Sequence, residues 1–95
     1  MKWIEVIRLR STVQSEDTLG ELLQRITALD RVAGLIDIRS YRHSEVGGDA
    51  SVHLHWECPR CDSRGSAIAL HVADALKEIG LVDVSVWVER GEKDE

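Results

Sequence analysis

Two short stretches of this chain carry side chains that could do chemistry. His53-Leu54-His55 places two imidazoles two positions apart, and Cys58-Pro59-Arg60-Cys61 brings both cysteines together in one Cys-x-x-Cys. On a β-strand, residues two apart share a face about 6.6 to 7 Å from each other. Such a pair can bind Zn, Ni, Cu or Fe with Glu57 or Tyr41 nearby, or act as a general base near neutral pH. It can equally be a solvated pair on a polar sheet face. The Cys-x-x-Cys sits between a predicted strand and a predicted helix, where the helix dipole and the Arg60 and Arg64 charges would favour thiolate. Thiolate attacks disulfides and binds soft metals, so Cys58 and Cys61 read as a metal pair, a redox pair or reduced bystanders. One pair supplies two of the four ligands of a structural zinc, and His55, His71 or a second subunit would have to complete the set.

The elements that position these groups follow from an internal repeat. Ala28 to Ile38 and Ala75 to Val84 each read as a helix end, a glycine and a strand, with Gly34 and Gly80 lying 46 positions apart. Each glycine is expected to supply a left-handed residue that closes its helix. The same shift lays residues 6–12 on 52–58, so both halves read strand, helix, strand. The first strand covers Lys2 to Thr12, with apolar residues on both faces. A helix opens at Thr18, whose spacing to Glu21 matches a capping box, and carries Leu19, Leu22, Leu23, Ile26, Leu29 and Ala33 in one stripe. A strand from Leu35 to His43 meets a turn at Gly47-Gly48-Asp49, and Ala50 to Cys58 forms the next strand. A second helix begins near Ser63 or Ser66, and Val82 to Glu89 alternates as a last strand.

The order βαββαβ predicts a ferredoxin-like split βαβ fold, with strands ordered 4-1-3-2 and both helices on one face. Residues 1–90 form one domain, and 91–95 a charged, frayed tail. Ile36, Ile38, Val52, Leu54, Trp56 and Val82 to Val88 are expected to point at the helices. Asp37, Arg39, Tyr41, His43, His53, His55, Glu57, Asp83, Ser85, Trp87 and Glu89 then share the uncovered face. Trp3 or Ile7 of the first strand would join them there. A three-residue turn at 47–49 would set His43 opposite His53, Tyr41 opposite His55 and Arg39 opposite Glu57. His71 is expected to be a partly buried packing residue.

The run Val32-Ala33-Gly34-Leu35-Ile36-Asp37-Ile38-Arg39-Ser40-Tyr41-Arg42, then Val52-His53-Leu54-His55-Trp56-Glu57, and His71 on the second helix, resembles the antibiotic biosynthesis monooxygenase type of dimeric α/β barrel. The resemblance implies a homodimer with a small-molecule pocket between the open faces, and cofactor-free oxygenation of quinol-like aromatics. It does not account for Cys58 and Cys61.

Composition excludes other classes. The chain has 95 residues, 12 Lys and Arg against 17 Asp and Glu, and a formal net charge of -5. That balance argues against nucleic acid and anionic membrane as partners, because both need a clustered positive field. The charged start Met1-Lys2-Trp3-Ile4-Glu5 is unlike a signal peptide, and no apolar run approaches the ~18 residues of a membrane span, so the chain reads as cytoplasmic. The first reading is therefore a homodimer whose pocket is lined by Tyr41, His43 and Trp87. His53 or His55 would be the proton acceptor, and Arg39 would orient an oxyanion. No cofactor is certain, with zinc or another divalent metal as the candidate. The alternatives are a metal-binding or thiol-redox module using Cys58 and Cys61, and a non-catalytic protein-interaction domain.

Overall fold

The computed structural model describes residues 2–11, 16–29, 32–59 and 66–90. Four strands and two helices follow one another as β1 (Lys2–Ser11), α1 (Glu16–Thr27), β2 (Leu35–Arg42), β3 (Asp49–Glu57), α2 (Ala67–Lys77) and β4 (Gly80–Val88). They make one antiparallel sheet in the order β2-β3-β1-β4, the expected split βαβ topology. No described helix is long and apolar enough to cross a membrane.

Alternation along β1 decides which side becomes the core. Trp3, Ile7 and Leu9 are buried and pack with Leu19, Leu23 and Ile26 of α1 and with Ala69, Val72, Ala73 and Leu76 of α2. Both helices therefore cover the same face. α1 lies towards β2, while α2 lies over β1 and β4. Trp3 and Ile7 belong to this covered side, which corrects the expectation that one of them stands in water. Ile4 and Val6 lie on the uncovered side instead, with Val6 only 9% exposed between its neighbours.

Trp3 and Trp56 face each other across β1 and β3 and stack, with ring centroids 5.3 Å apart and planes 10° from parallel. The Trp3 indole N–H donates to the Cys58 carbonyl at 2.8 Å, so neither indole dipole is stranded. Glu5 lies in the same phase of β1 and is fully buried. Its carboxylate accepts from the Trp56 indole at 2.7 Å, from the Ser66 backbone N–H at 2.5 Å and from the Ser66 hydroxyl at 2.7 Å. Ser66 in turn caps α2, its hydroxyl oxygen accepting from the Ala69 N–H at 3.1 Å.

Several local expectations change. α1 begins at Glu16, so Thr18 lies inside the helix and is not its cap. α2 is capped by Ser66, whereas Ser63 lies outside the described residues, as do Arg60, Cys61, Arg64 and the tail 91–95. Gly34 has φ +88°, as expected, and a Cβ there would stand 2.7 Å from the Cys58 Sγ. Gly80 has no positive φ. It is needed for a different reason, since a Cβ at Gly80 would run into the Arg10 carbonyl on the neighbouring strand. A bulge between Leu35 and Asp37 turns Ile36 out to 56% exposure, away from the helices. Val88 is exposed at the end of β4, and His71 is exposed on α2 rather than partly buried.

Candidate functional site

The three ladders fix the uncovered face row by row. One row reads Asp37, His55, Ile4 and Trp87 across β2, β3, β1 and β4. The next reads Arg39, His53, Val6 and Ser85, and the third Tyr41, Ser51, Arg8 and Asp83. Asp49, Arg10 and Leu81 continue below, at the turn end of the sheet. Each expected residue of β2, β3 and β4 within the ladders is therefore on the expected face.

The β2–β3 register is not the expected one. Arg39 faces His53, Tyr41 faces Ser51 and Asp37 faces His55. The cause is the turn, which is longer than three residues. The ladder ends at Arg42 and Ala50, the His43 N–H donates to the Asp49 carbonyl at 2.9 Å, and the chain between them forms the loop. His43 closes that loop with its own ring: Nδ1 accepts from the Glu45 and Val46 N–H groups, each at 3.0 Å. The resulting slip is even, so every side chain keeps its face while changing its neighbour. His43 is thus a turn-stabilising residue and not the partner of His53. The expected Arg39–Glu57 pair is replaced by Arg39–Asp37 within β2, with Nε to Oδ2 at 2.7 Å.

The centre of the face is aromatic and imidazole. The Tyr41 and His53 rings lie 4.6 Å apart, tilted by 52°, and His53 to His55 is 6.4 Å. His53 Nε2 shares a hydrogen bond with the Ser51 hydroxyl at 3.1 Å, the donor depending on the ring tautomer. Burial, and next the nearby charge of His55, hold His53 below the ordinary histidine range. His53 is consequently neutral at pH 7 and able to accept a proton. His55 Nε2 is buried without a hydrogen-bond partner among the described residues.

Arg39 is held charged by its hydrogen bond to Asp37, with Tyr41 adding to the effect, and Asp37 is correspondingly held below the ordinary carboxylate range, by Arg39 first. Asp37 also accepts from the Ile38 N–H at 2.9 Å. Arg39 can orient an anion only through the guanidinium nitrogens that Asp37 leaves open.

Two concavities mark the face. A cleft of about 550 Å³ at the turn end includes Tyr41, Ser51, His43, Arg8, Arg10 and Leu81 in its walls. A shallower one of about 400 Å³ is formed by Ile4, Val6, Arg8, Asp83, Ser85 and Trp87. The two meet at Arg8 and Asp83, which pair at 3.4 Å. Tyr41 and His43 therefore line one cleft and Trp87 the other, while Arg39, His53 and His55 lie beside them along β2 and β3. Trp87 is 61% exposed and donates its indole N–H to Ser85 at 2.9 Å.

Arg8, Arg10 and Ser51 were not among the residues expected at a site. The signal was present in the parity of β1, where Arg8 and Arg10 fall out of phase with Ile7 and Leu9. Apolar residues on both faces of that strand hid it.

The thiol site does not assemble among the described residues. Cys58 packs against the core on the helix side of the sheet. His55 projects from the opposite face, and His71 is exposed on α2. No group of three or more His, Cys, Asp or Glu residues able to hold a metal occurs among the described residues, and Cys61 lies outside them.

No protein-family model and no curated protein sequence matches the chain. Solved structures do. Rv0793 from Mycobacterium tuberculosis superposes with a TM-score of 0.67 at 19% identity, covering 99% of this chain and 100% of that one. SnoaB from Streptomyces nogalater, a cofactor-independent oxygenase, gives 0.68 at 15% identity over 99% and 98% of the two chains. A candidate antibiotic biosynthesis monooxygenase from Deinococcus radiodurans gives 0.64 at 19% identity over 98% and 96%. The chain has the antibiotic biosynthesis monooxygenase fold. The strand order and the near end-to-end match agree with the topology read from the repeat.

Proposed function

We propose that this chain forms a homodimer whose uncovered faces enclose a small-molecule pocket, and that it oxidises a phenolic, quinol-like aromatic with dioxygen and no cofactor. The observation that carries this reading is the grouping of Tyr41, His53 and His55 on a face that none of the described elements covers. A neutral His53 is suited to remove the phenolic proton, Tyr41 offers a ring to pack against, and the buried His55 Nε2 lacks among the described residues a partner that a ligand or second subunit would supply. The phenolate is the electron-rich form that reacts with dioxygen. The O–H bond and one ring C–H bond break, a new C=O forms, and the second oxygen leaves as water. The substrate supplies all four electrons, so no external reductant enters. Arg39 steadies the phenolate oxygen. The same reading places the protein in the cytoplasm, with the small aromatic and a second copy of itself as partners.

Dioxygen uptake with a panel of naphthols and dihydroxynaphthalenes tests the chemistry, and size-exclusion chromatography with light scattering tests the assembly. A dimer is expected, with uptake from at least one phenol that falls about 100-fold or more in His53→Ala, the usual scale for loss of a general base. A monomer at all concentrations, or uptake indifferent to His53, would overturn the proposal.

A further inference from the structure

The two concavities on the uncovered face differ in character and touch at one ion pair. One end is apolar and aromatic, built on Ile4, Val6 and the exposed Trp87. The other has three guanidiniums, Arg8, Arg10 and Arg42, in its walls against two carboxylates, Asp49 and Asp83. Arg10 is exposed and makes no ion pair among the described residues. Arg8 belongs to both concavities, and its single contact to Asp83, at 3.4 Å between two well-exposed side chains, is long for a charge-assisted bond. A ligand anion arriving at that junction meets one uncommitted cation and a second held loosely, on a chain whose net charge is otherwise negative.

We infer that this face takes an aromatic carboxylate, with its ring against Trp87 over Ile4 and Val6 and its carboxylate between Arg8 and Arg10. The assignment rests on the reading of the face as a small-molecule pocket and narrows what that pocket accepts. The apolar floor offers the ring a surface to leave water on, and the guanidinium fork gives the carboxylate a geometry that a neutral amide cannot use. Asp83 is the built-in competitor. It occupies Arg8 in the free protein, and the ligand carboxylate displaces it.

The experiment uses 2-naphthoate and its neutral analogue 2-naphthamide on the full chain, followed by amide shifts along β1 and β4 in NMR titrations. The naphthoate is expected to bind about tenfold more tightly at low salt, the factor a charge-assisted pair supplies, and to lose that advantage as salt rises. Arg10→Gln should remove most of the preference, and Asp83→Asn should enlarge it by freeing Arg8. Trp87→Ala should weaken both probes alike. The opposite signs of the Arg10 and Asp83 changes separate recognition from loss of fold. Equal binding of the two probes, a preference untouched by Arg10→Gln, or binding of neither would overturn the assignment. Naphthoate preference without dioxygen uptake from any phenol would keep this inference and sink the catalytic reading. Uptake from neutral phenols without any preference would do the reverse.

Discussion

The Glu5 carboxylate is tied to Ser66 by two hydrogen bonds, one from the backbone N–H and one from the hydroxyl, which fastens the middle strand of the sheet to the first turn of α2. A fully buried carboxylate is costly to desolvate unless its lone pairs are used, and here the Trp56 indole takes a third. Glu5→Ala would leave the Trp56 and Ser66 donors unsatisfied beside a cavity. It is expected to destabilise the fold by about 3 to 5 kcal/mol. Ser66→Ala loses the cap as well as its link to Glu5, and should cost about 1 to 2 kcal/mol. The two changes should not add, and urea denaturation of both singles and the double would read the coupling. Additive losses would mean that the link between them carries no weight.

Gly34 cannot be replaced at low cost. Its φ of +88° penalises any L side chain, and a Cβ would press on the Cys58 Sγ at 2.7 Å. Gly34→Ala should lower stability by at least about 1 to 2 kcal/mol, the usual scale for forcing a non-glycine residue to positive φ. Adding Cys58→Ala should recover only the steric part. Full recovery in the double variant would show that backbone strain contributes nothing.

Stability should fall on mild acidification because of His53. Folding lowers its pKa, so the unfolded chain binds the proton more readily. The contribution is therefore complete above the unfolded value of about 6.5 and is lost as pH falls through the lower folded value. His53→Gln removes that titration. The urea midpoint of the wild-type chain should drop more as the pH is taken from above to below the unfolded value of about 6.5 than that of the variant. Parallel curves would place the pH dependence elsewhere.

If two uncovered faces pack together, a charge placed on them should prevent it. Trp87 and Ile4 neighbour each other across β1 and β4, and both stand away from the helices. Trp87→Asp is expected to yield a monomer in light scattering while leaving the far-ultraviolet circular dichroism unchanged. A dimer that survives this substitution uses another surface.

Much of this was legible from the residues alone, and the gaps have physical causes. Strand order and the uncovered-face residues of β2, β3 and β4 followed from the repeat and the period of two, because those signals are local and reinforce each other, whereas the faces of β1, apolar on both sides, were reversed. The β2–β3 register was not legible, since it depends on how many residues the turn absorbs. His43 set that number by accepting two backbone N–H groups, a role that a histidine seldom advertises. The place of Glu5 in the core was likewise hidden. A carboxylate is ordinarily a surface group, and it is donors from distant segments, Trp56 and Ser66, that make this burial tolerable. The cysteine pair promised a site, yet Cys58 packs against the core beside Gly34, on the opposite side of the sheet from His53 and His55.

The alternation of β1 has one more implication. Trp3, Glu5, Ile7 and Leu9 hold the fold together, whereas Ile4, Val6, Arg8 and Arg10, each one residue along, face the uncovered side. Odd and even positions of a single strand thereby meet separate physical demands. A new ligand preference can evolve, or be engineered, by rewriting the even letters while the odd ones continue to specify the same scaffold.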